Sequence, residues 1–548
     1  MNIRNPILPG FNPDPSILRV GDDYYIATST FEWYPGVQIH HSRDLRHWRL
    51  LAHPLDRSEL LDMRGDPDSG GIWAPCLSYS DGLFYLIYTD VKRHEGSFKD
   101  THNYLTTSAT IDGRWSDPVY LNSSGFDPSL FHDDDGRKWL CNMQWDYRPD
   151  QNAFSGIVLQ EYSPEQQKLI GPIRNIFKGT ELRLTEGPHL YKRYGYYYLL
   201  TAEGGTGYSH AVTMARSRTL QGPYEVDPVK HILTAKDDPS LPLQRTGHAD
   251  WVETQHGEIF LVHLCARPIS TERRSPLGRE TAIQKAYWSE DGWLRLANDG
   301  NKPDLQTASP KLPLHPWPTA PVRTSFDCKK LPLDFQWLRI PWDEKMFSLQ
   351  DRPGFLRLYG HESIGSWFRQ SLIARRQQAF KFTATTEVEF EPDSMQQQAG
   401  LICYYNAHKL HYLYVSCNEA GDKHLAILSC EGNQLWKLNY PSVAVKEMEL
   451  PRKRSVHLRA EVDYATLYFS WSLNGTDWLR IQLPLDYTLI SDEAGRGEGK
   501  SFTGAFVGMA CHDISGRRQS ADFRYFDYVE HEDAAGYATH PQRYRATP

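Results

Sequence analysis

Apolar and polar positions alternate with a period of two along most of this chain, in short bursts broken by Gly, Asp and Asn. "DPSILRVGDDYYIATST", starting at Asp14, shows the pattern: a strand, a Gly-Asp turn and an aromatic-rich strand, which together predict a β-hairpin. Four more phrases of the same build follow: "APCLSYSDGLFYLIYTD" from Ala74, "DPSLFHDDDGRKWLCNMQW" from Asp127, "EGPHLYKRYGYYYLLTAEGG" from Glu186 and "HADWVETQHGEIFLVHLCA" from His248. Each interval also holds a weaker strand-turn-strand phrase, such as "VQIHHSRDLRHWRLL" or "TAIQKAYWSEDGWLRL".

Four strands per repeat, five repeats and a spacing near blade length predict an all-β, five-bladed β-propeller over residues 1–300. A sandwich with irregular spacing would leave the recurrence unexplained. From Asn301 to Pro321 prolines fall at 303, 310, 313, 316, 318 and 321, so 301–321 reads as a semi-rigid connector. Alternating segments such as "TATTEVEFEP", "AGLICYYNA" and "TLYFSWSLNG" then predict a second all-β domain over 322–548, a β-sandwich of the lectin-like jelly-roll type.

Composition narrows the function classes. A chain of 548 residues is expected to hold at least two domains, and a formal charge of -8 leaves no basic footprint for nucleic acid. Aromatic residues make up 13%, which suits both β-rich packing and sugar recognition and does not separate the two. The eight cysteines show no CxxC or zinc spacing, so free buried thiols in a reducing compartment are expected. The stretch "MNIRNPILPGFNPDP" has no apolar leader core and no later run reaches membrane-spanning length. The reading is a cytoplasmic protein with no membrane partner, acting on fragments of any polymer it degrades.

In a propeller the first strand of each repeat lines the central channel, so equivalent positions converge on one axis. Here those positions are Asp14, Ala74, Asp127, Glu186 and His248. Three acids placed close together repel, a cost that three separate turn residues would not incur. Two carboxylates facing each other across a cleft are what glycosidic hydrolysis requires, one protonated to assist the leaving oxygen and one ionised to activate water or to attack. A third can raise the acid's pKa and orient it.

The phrases "FNPDPSI", "TSTFEWYPGVQIHHSRDL", "GGIWAP", "GFDPSLFHDDDGR", "TEGPHLY", "GPYE", "GHADWVET" and "PLGRETAIQK" resemble the bacterial β-xylosidases of glycoside hydrolase family 43. "FTGAFVGM" is similar to their C-terminal domain, so the resemblance spans essentially the whole chain. It implies Asp14 as general base, Asp127 as the residue that tunes pKa, Glu186 as general acid, and an inverting mechanism. It further implies Arg279 as a ligand of xylose hydroxyls, with a surface salt bridge, for which Glu280 stands beside it, as the plainer alternative, and Phe31 and Trp73 as glycone walls. Trp145 would lie near the leaving group, although plain core packing accounts for each of these rings nearly as well. His248 would lie beneath the sugar. The implied chemistry needs no cofactor, with calcium linked to His248 through water left open because calcium prefers oxygen donors. Cys76 stands where many relatives carry aspartate. Phe506 would close one end of the site, implying exo-release of D-xylose from β-1,4-xylooligosaccharides with secondary α-L-arabinofuranosidase activity. A dedicated arabinofuranosidase and a non-catalytic carbohydrate-binding propeller are the alternatives, and a homo-oligomer, dimer or tetramer, is the implied assembly.

Overall fold

The computed structural model describes residues 2–269, 272–432, 448–495 and 501–531. Its chain divides into two compact units, Met1–Arg267 with Arg279–Trp317, and Pro268–Gly278 with Pro318–Pro548. The first unit holds five antiparallel four-stranded blades. Blade 1 comprises Ser16–Val20, Asp23–Thr28, Gln38–Ser42 and Arg49–Ala52, and blade 2 comprises Gly71–Ser80, Leu83–Arg93, Asp100–Ser108 and Val119–Asn122. Blade 3 runs through Ser129–His132, Lys138–Trp145, Phe154–Ser163 and Lys168–Phe177. Blade 4 holds Glu186–Arg193, Tyr196–Glu203, Ala211–Ser217 and Glu225–Val226, with Leu233–Thr234 added to its third strand. Blade 5 holds Gln244–Glu253, Ile259–Ala266, Glu280–Trp288 and Leu294–Leu296. First strands of successive blades contact one another and the fifth returns to the first, which makes the ring.

The core of this unit lies between blades. Phe131, Trp139 and Leu159 of blade 3 pack on Leu190, Leu199 and Ala215 of blade 4. Leu200, Val212 and Met214 then meet Ala249, Leu261 and Ala286 of blade 5, and Val252, Phe260 and Ile283 of that blade meet Ile17, Tyr24 and Ile26 of blade 1. Each fully buried Leu or Ile contributes about 1.5–3 kcal/mol. The alternating pattern thus supplies a sheet with apolar side chains on both faces, each face covered by a neighbouring blade, leaving the channel to polar residues.

Residues 2–12 fasten the ring. Asn2–Arg4 pairs with Gln306–Ala308, the Leu8 and Thr281 backbones exchange hydrogen bonds, and Asn5 both donates to Ile283 O and accepts from its N–H. The proline-rich stretch is therefore not a free tether. Asn5 N–H donates to Leu305 O, and the Arg49 guanidinium lies 3.9 Å from the centre of the Trp317 ring, so the chain stays with the first unit through Trp317. Prolines there leave enough amides between them for Gln306–Ala308 to form a strand.

The second unit is a β-sandwich. One sheet runs Phe347–Ser348, Leu356–Tyr359, Ser520–Glu530, Lys381–Glu389, Val456–Asp463, Thr466–Ser472, Leu479–Arg480. The other runs Met448–Glu449, Lys423–Glu431, Lys409–Cys417, Gln397–Asn406, Phe506–Asp513, Ser371–Arg376, Phe335–Leu338. Pro268–Gly278 joins this unit through hydrogen bonds from Ser275 N–H to Glu493 and from Ala505 N–H to Pro276 O. That excursion interrupts the propeller sequence between the second and third strands of blade 5. Among the described residues the one helical turn is a 3-10 turn at Tyr487–Leu489, and no helix is long and apolar enough to cross a membrane. None of the eight cysteines is paired in a disulfide.

Candidate active site

The five strand openings share a backbone kink. Asp14, Ala74, Asp127 and His248 have φ of 55°, 34°, 54° and 44°. Left-handed backbone costs a residue with a Cβ about 1–2 kcal/mol, and such strain gathers where a side chain must be aimed. Ladder register shifts at Trp73/Cys76, Glu186/His189 and Gly247/Ala249 mark the same kink as a β-bulge in blades 2, 4 and 5. In blade 4 the positive φ falls one residue later, on Gly187 at 56°. A Cβ there would lie 3.1 Å from His248 Cε1, so glycine lets the imidazole pack closely against this kink.

Asp14 is buried, and its Oδ2 accepts a 2.7 Å hydrogen bond from Ser29 Oγ. Its Oδ1 accepts from Arg279 Nη1 at 3.2 Å and lies 3.8 Å from His248 Nδ1. Burial by itself would raise its pKa, but the Arg279 charge, His248 and the Ser29 hydroxyl together hold the carboxyl below its ordinary value. Asp14 is the ionised member.

Glu186 sits at the opposite extreme. Burial, followed by the negative charges of Asp127 and Asp14, pushes its carboxyl well above the ordinary glutamate value. Asp127 stands between them: its Oδ2 accepts from Gly187 N–H at 3.0 Å, and burial plus the Asp14 charge raise it to about 8. His248, 3.9 Å from Asp127 Oδ2, is lowered by burial to about 4 and is neutral near pH 7. The structure thus gathers Asp14, Asp127, Glu186, His248 and Arg279 into one electrostatically linked set, with one carboxyl held below its ordinary pKa and another held well above it, a combination that could serve acid–base hydrolysis.

A path of rings leads away from this set. The Arg279 guanidinium lies 5.2 Å from the Phe31 ring centre, Phe31 is 5.8 Å from Trp73, Trp73 is 5.3 Å from Phe126, and Phe126 is 6.5 Å from Trp145. The Trp73 indole donates to Ser69 O at 2.9 Å and the Trp145 indole to Ser97 O at 2.8 Å, which fixes both ring planes. Phe506 lies in the second unit, buried at the head of Phe506–Asp513 with the Arg376 guanidinium 5.0 Å from its ring centre.

The family model for glycosyl hydrolases family 43 matches residues 3–294, the segment that carries this whole set. The chain belongs to glycosyl hydrolase family 43. A second model, the beta xylosidase C-terminal concanavalin A-like domain, matches residues 323–529. The chain is 54% identical over 534 residues to a xylosidase/arabinosidase 43B of Humicola insolens, covering 96% of this chain and 98% of that protein. It is 51% identical over 540 residues to a beta-xylosidase of Bacillus subtilis strain 168, covering 97% and 100% respectively. A crystal structure of xylan beta-1,4-xylosidase from Bacillus halodurans C-125 superimposes with a TM-score of 0.94 at 54% identity, over 96% of this chain and all of that one.

Several residues of this family 43 site are invisible to motif reading. Ser29 Oγ donates to Asp14 while accepting from Ala74 N–H at 2.7 Å, so one hydroxyl joins the openings of blades 1 and 2. Thr206 Oγ1 accepts from Arg279 Nη1 at 3.1 Å. Glu280 is not paired with Arg279, as their adjacency in sequence suggests; it takes a bidentate bond from Arg267 at 2.6 and 2.7 Å and a third from Gly10 N–H. Successive strand residues point to opposite faces, which leaves Arg279 for Asp14. Glu203, fully buried, accepts from the Thr180 and Thr185 hydroxyls at 3.0 Å each, and burial raises it to about 7.

At Cys76 the thiol lies 4.0 Å from His189 Nδ1. Burial alone would lower His189, but Asp250 and then Cys76 raise it to about 9. The carboxylate beside His189 is therefore that of Asp250, from blade 5. Asp250 also accepts from Ser16 Oγ, Ile17 N–H and the Tyr191 hydroxyl. Among the described residues no three His, Cys, Asp or Glu side chains are disposed to hold a metal ion. His248 offers one ring nitrogen beside the Asp14 and Asp127 carboxyls, whereas calcium takes six to eight oxygens, so the set does not fit a calcium cage.

Proposed function

We propose that the chain is an exo-acting, inverting β-xylosidase that releases D-xylose from non-reducing ends of β-1,4-xylooligosaccharides and cleaves α-L-arabinofuranosides as a secondary activity. The observation that carries this reading is the opposite protonation of Asp14 and Glu186 within one set. Glu186 protonates the leaving glycosidic oxygen while Asp14 removes a proton from water attacking the anomeric carbon from the other face. The new C–O bond forms as the glycosidic C–O bond breaks; the proton from water ends on Asp14 and that of Glu186 on the leaving alcohol. Asp127, anchored by Gly187 N–H, keeps Glu186 protonated, and Arg279 holds Asp14 ionised while presenting its remaining donors to sugar hydroxyls. No step is routed through a metal.

The relatives' names support xylose as the glycone and arabinose as the second substrate. Free thiols support a reducing, cytoplasmic compartment, and a symmetric homo-oligomer, dimer or tetramer, is the assembly we propose. Proton NMR of xylobiose hydrolysis tests the mechanism: α-xylose must form first, and β-xylose first would remove Asp14 from the role of base. Rates on nitrophenyl β-D-xylopyranoside and nitrophenyl α-L-arabinofuranoside test the substrate class. A higher kcat/KM on the arabinoside would reverse the assignment of primary activity.

A further inference from the structure

Beyond Trp145 the path of rings continues onto the surface. Phe98 and Tyr147 are 61% and 54% exposed, yet their rings stack on each other with centroids 4.8 Å apart and planes 22° from parallel. Both are neighbours of the Trp145 contacts: Ser97 O receives the Trp145 indole N–H, and Lys99 Nζ lies 4.3 Å from the centre of that ring. The two loops are tied down internally. Asp146 N–H donates to Ala153 O at 2.8 Å and Asp146 pairs with Arg148 at 2.6 Å, while in the other loop Lys99 Nζ donates to His94 O. The pair is thus a fixed apolar platform in solvent. A folded protein gains little by exposing two large rings that a polar residue could replace, and flat exposed rings suit the apolar face of a pyranose.

We infer that Phe98 and Tyr147 form a further sugar subsite, which takes the second xylosyl unit of the leaving chain. The inference rests on the proposed xylosidase reading, because it takes Trp145 as the neighbour of the first leaving-group unit. Adjacency decides the occupant: Trp73 and Trp145 are partly buried rings packed on the core ring Phe126, and the Phe98–Tyr147 stack is carried by the two loops that hold Trp145. Xylobiose, bound with its scissile bond between Asp14 and Glu186, ends at Trp145. Xylotriose reaches one unit further and meets the stack.

The test is the ratio of kcat/KM for xylotriose to that for xylobiose, measured on the full chain and on a Phe98→Ala, Tyr147→Ala double variant. Stacking of one sugar on one aromatic surface corresponds to a ratio falling about five-fold in the variant. Tyr194→Ala, which removes an equally exposed ring from a turn between the first two strands of blade 4, controls for loss of surface aromatic area and should leave the ratio as it is. An unchanged ratio in the double variant overturns the subsite. So does a smaller assembly by sedimentation, which would assign the rings to an interface between copies. Failure of the unmodified protein to cleave xylobiose at all would instead remove the xylosidase reading, and the subsite with it.

Discussion

Asp14 and Glu186 occupy the same slot in two copies of one structural repeat, yet one is held ionised and the other protonated. Their difference lies in their neighbours. At Asp14 the kink falls on the acid itself, its carboxylate faces the Ser29 hydroxyl, and Arg279 arrives from blade 5 with a full positive charge. At Glu186 the kink has moved to Gly187, whose amide goes to Asp127, so the nearby donor serves a competing carboxyl whose ionisation opposes that of Glu186. The repeat supplies convergence, and the departures from repetition supply the chemistry.

Exchanging the states of the two acids should have the largest effect. Asp14→Asn is expected to lower kcat/KM by roughly 100- to 10,000-fold on xylobiose and on activated aryl xylosides alike, because both need water attack. Glu186→Gln should match that loss on xylobiose and lose much less on substrates whose leaving group needs no proton. Equal losses on both substrate types would show that Glu186 is not the acid.

Next in size is Asp127→Asn. Removing that charge lowers the pKa of Glu186, so the basic limb of the pH profile should move to lower pH, with a loss of about ten-fold or more at its alkaline end. An unmoved limb would mean that Asp127 acts without electrostatic contact with Glu186. Ser29→Ala tests the other side of the comparison. Asp14 loses a hydrogen bond to its charged form, its pKa rises, and the acidic limb should move to higher pH with about a ten-fold loss at the acidic end. A shift of the basic limb instead would couple Ser29 to the wrong carboxyl.

The smallest expected effect belongs to Glu203→Gln. Its carboxyl adds to the negative field on Glu186 from the neighbouring strand and takes the Thr185 hydroxyl just before the acid. The basic limb should move slightly to lower pH, with roughly a two- to three-fold loss at its alkaline end. Movement to higher pH would reverse the sign of the coupling.

The sequence made the three acids legible because each opens the same hairpin phrase, and five-fold recurrence is visible without coordinates. What it left hidden acts across blades. Ser29 looks like the end of a strand, and only the folded ring shows its hydroxyl between Asp14 and Ala74 N–H. Arg279 and Glu280 read as mutual partners until strand alternation sends them to opposite faces. The Pro-rich stretch reads as a linker because proline cannot donate, yet Leu305 O and the strand at Gln306–Ala308 show that the residues between prolines were free to pair. The left-handed kink at Ala74 also had no local signal, since alanine does not favour that region.

The clasp between residues 2–12 and the last blade sets a timetable for biosynthesis. The partners of Asn2–Arg4 lie at Gln306–Ala308, and Asp14 meets Arg279 across 265 positions of chain. At roughly 5–20 residues per second, a ribosome needs about 13–50 s to deliver those partners after the first blade has emerged. Through that interval the nascent first blade has an uncovered apolar face and unpaired backbone, and Asp14 is a carboxylate without its arginine. The electrostatic environment of Asp14 is therefore complete only after the fifth blade has left the exit tunnel.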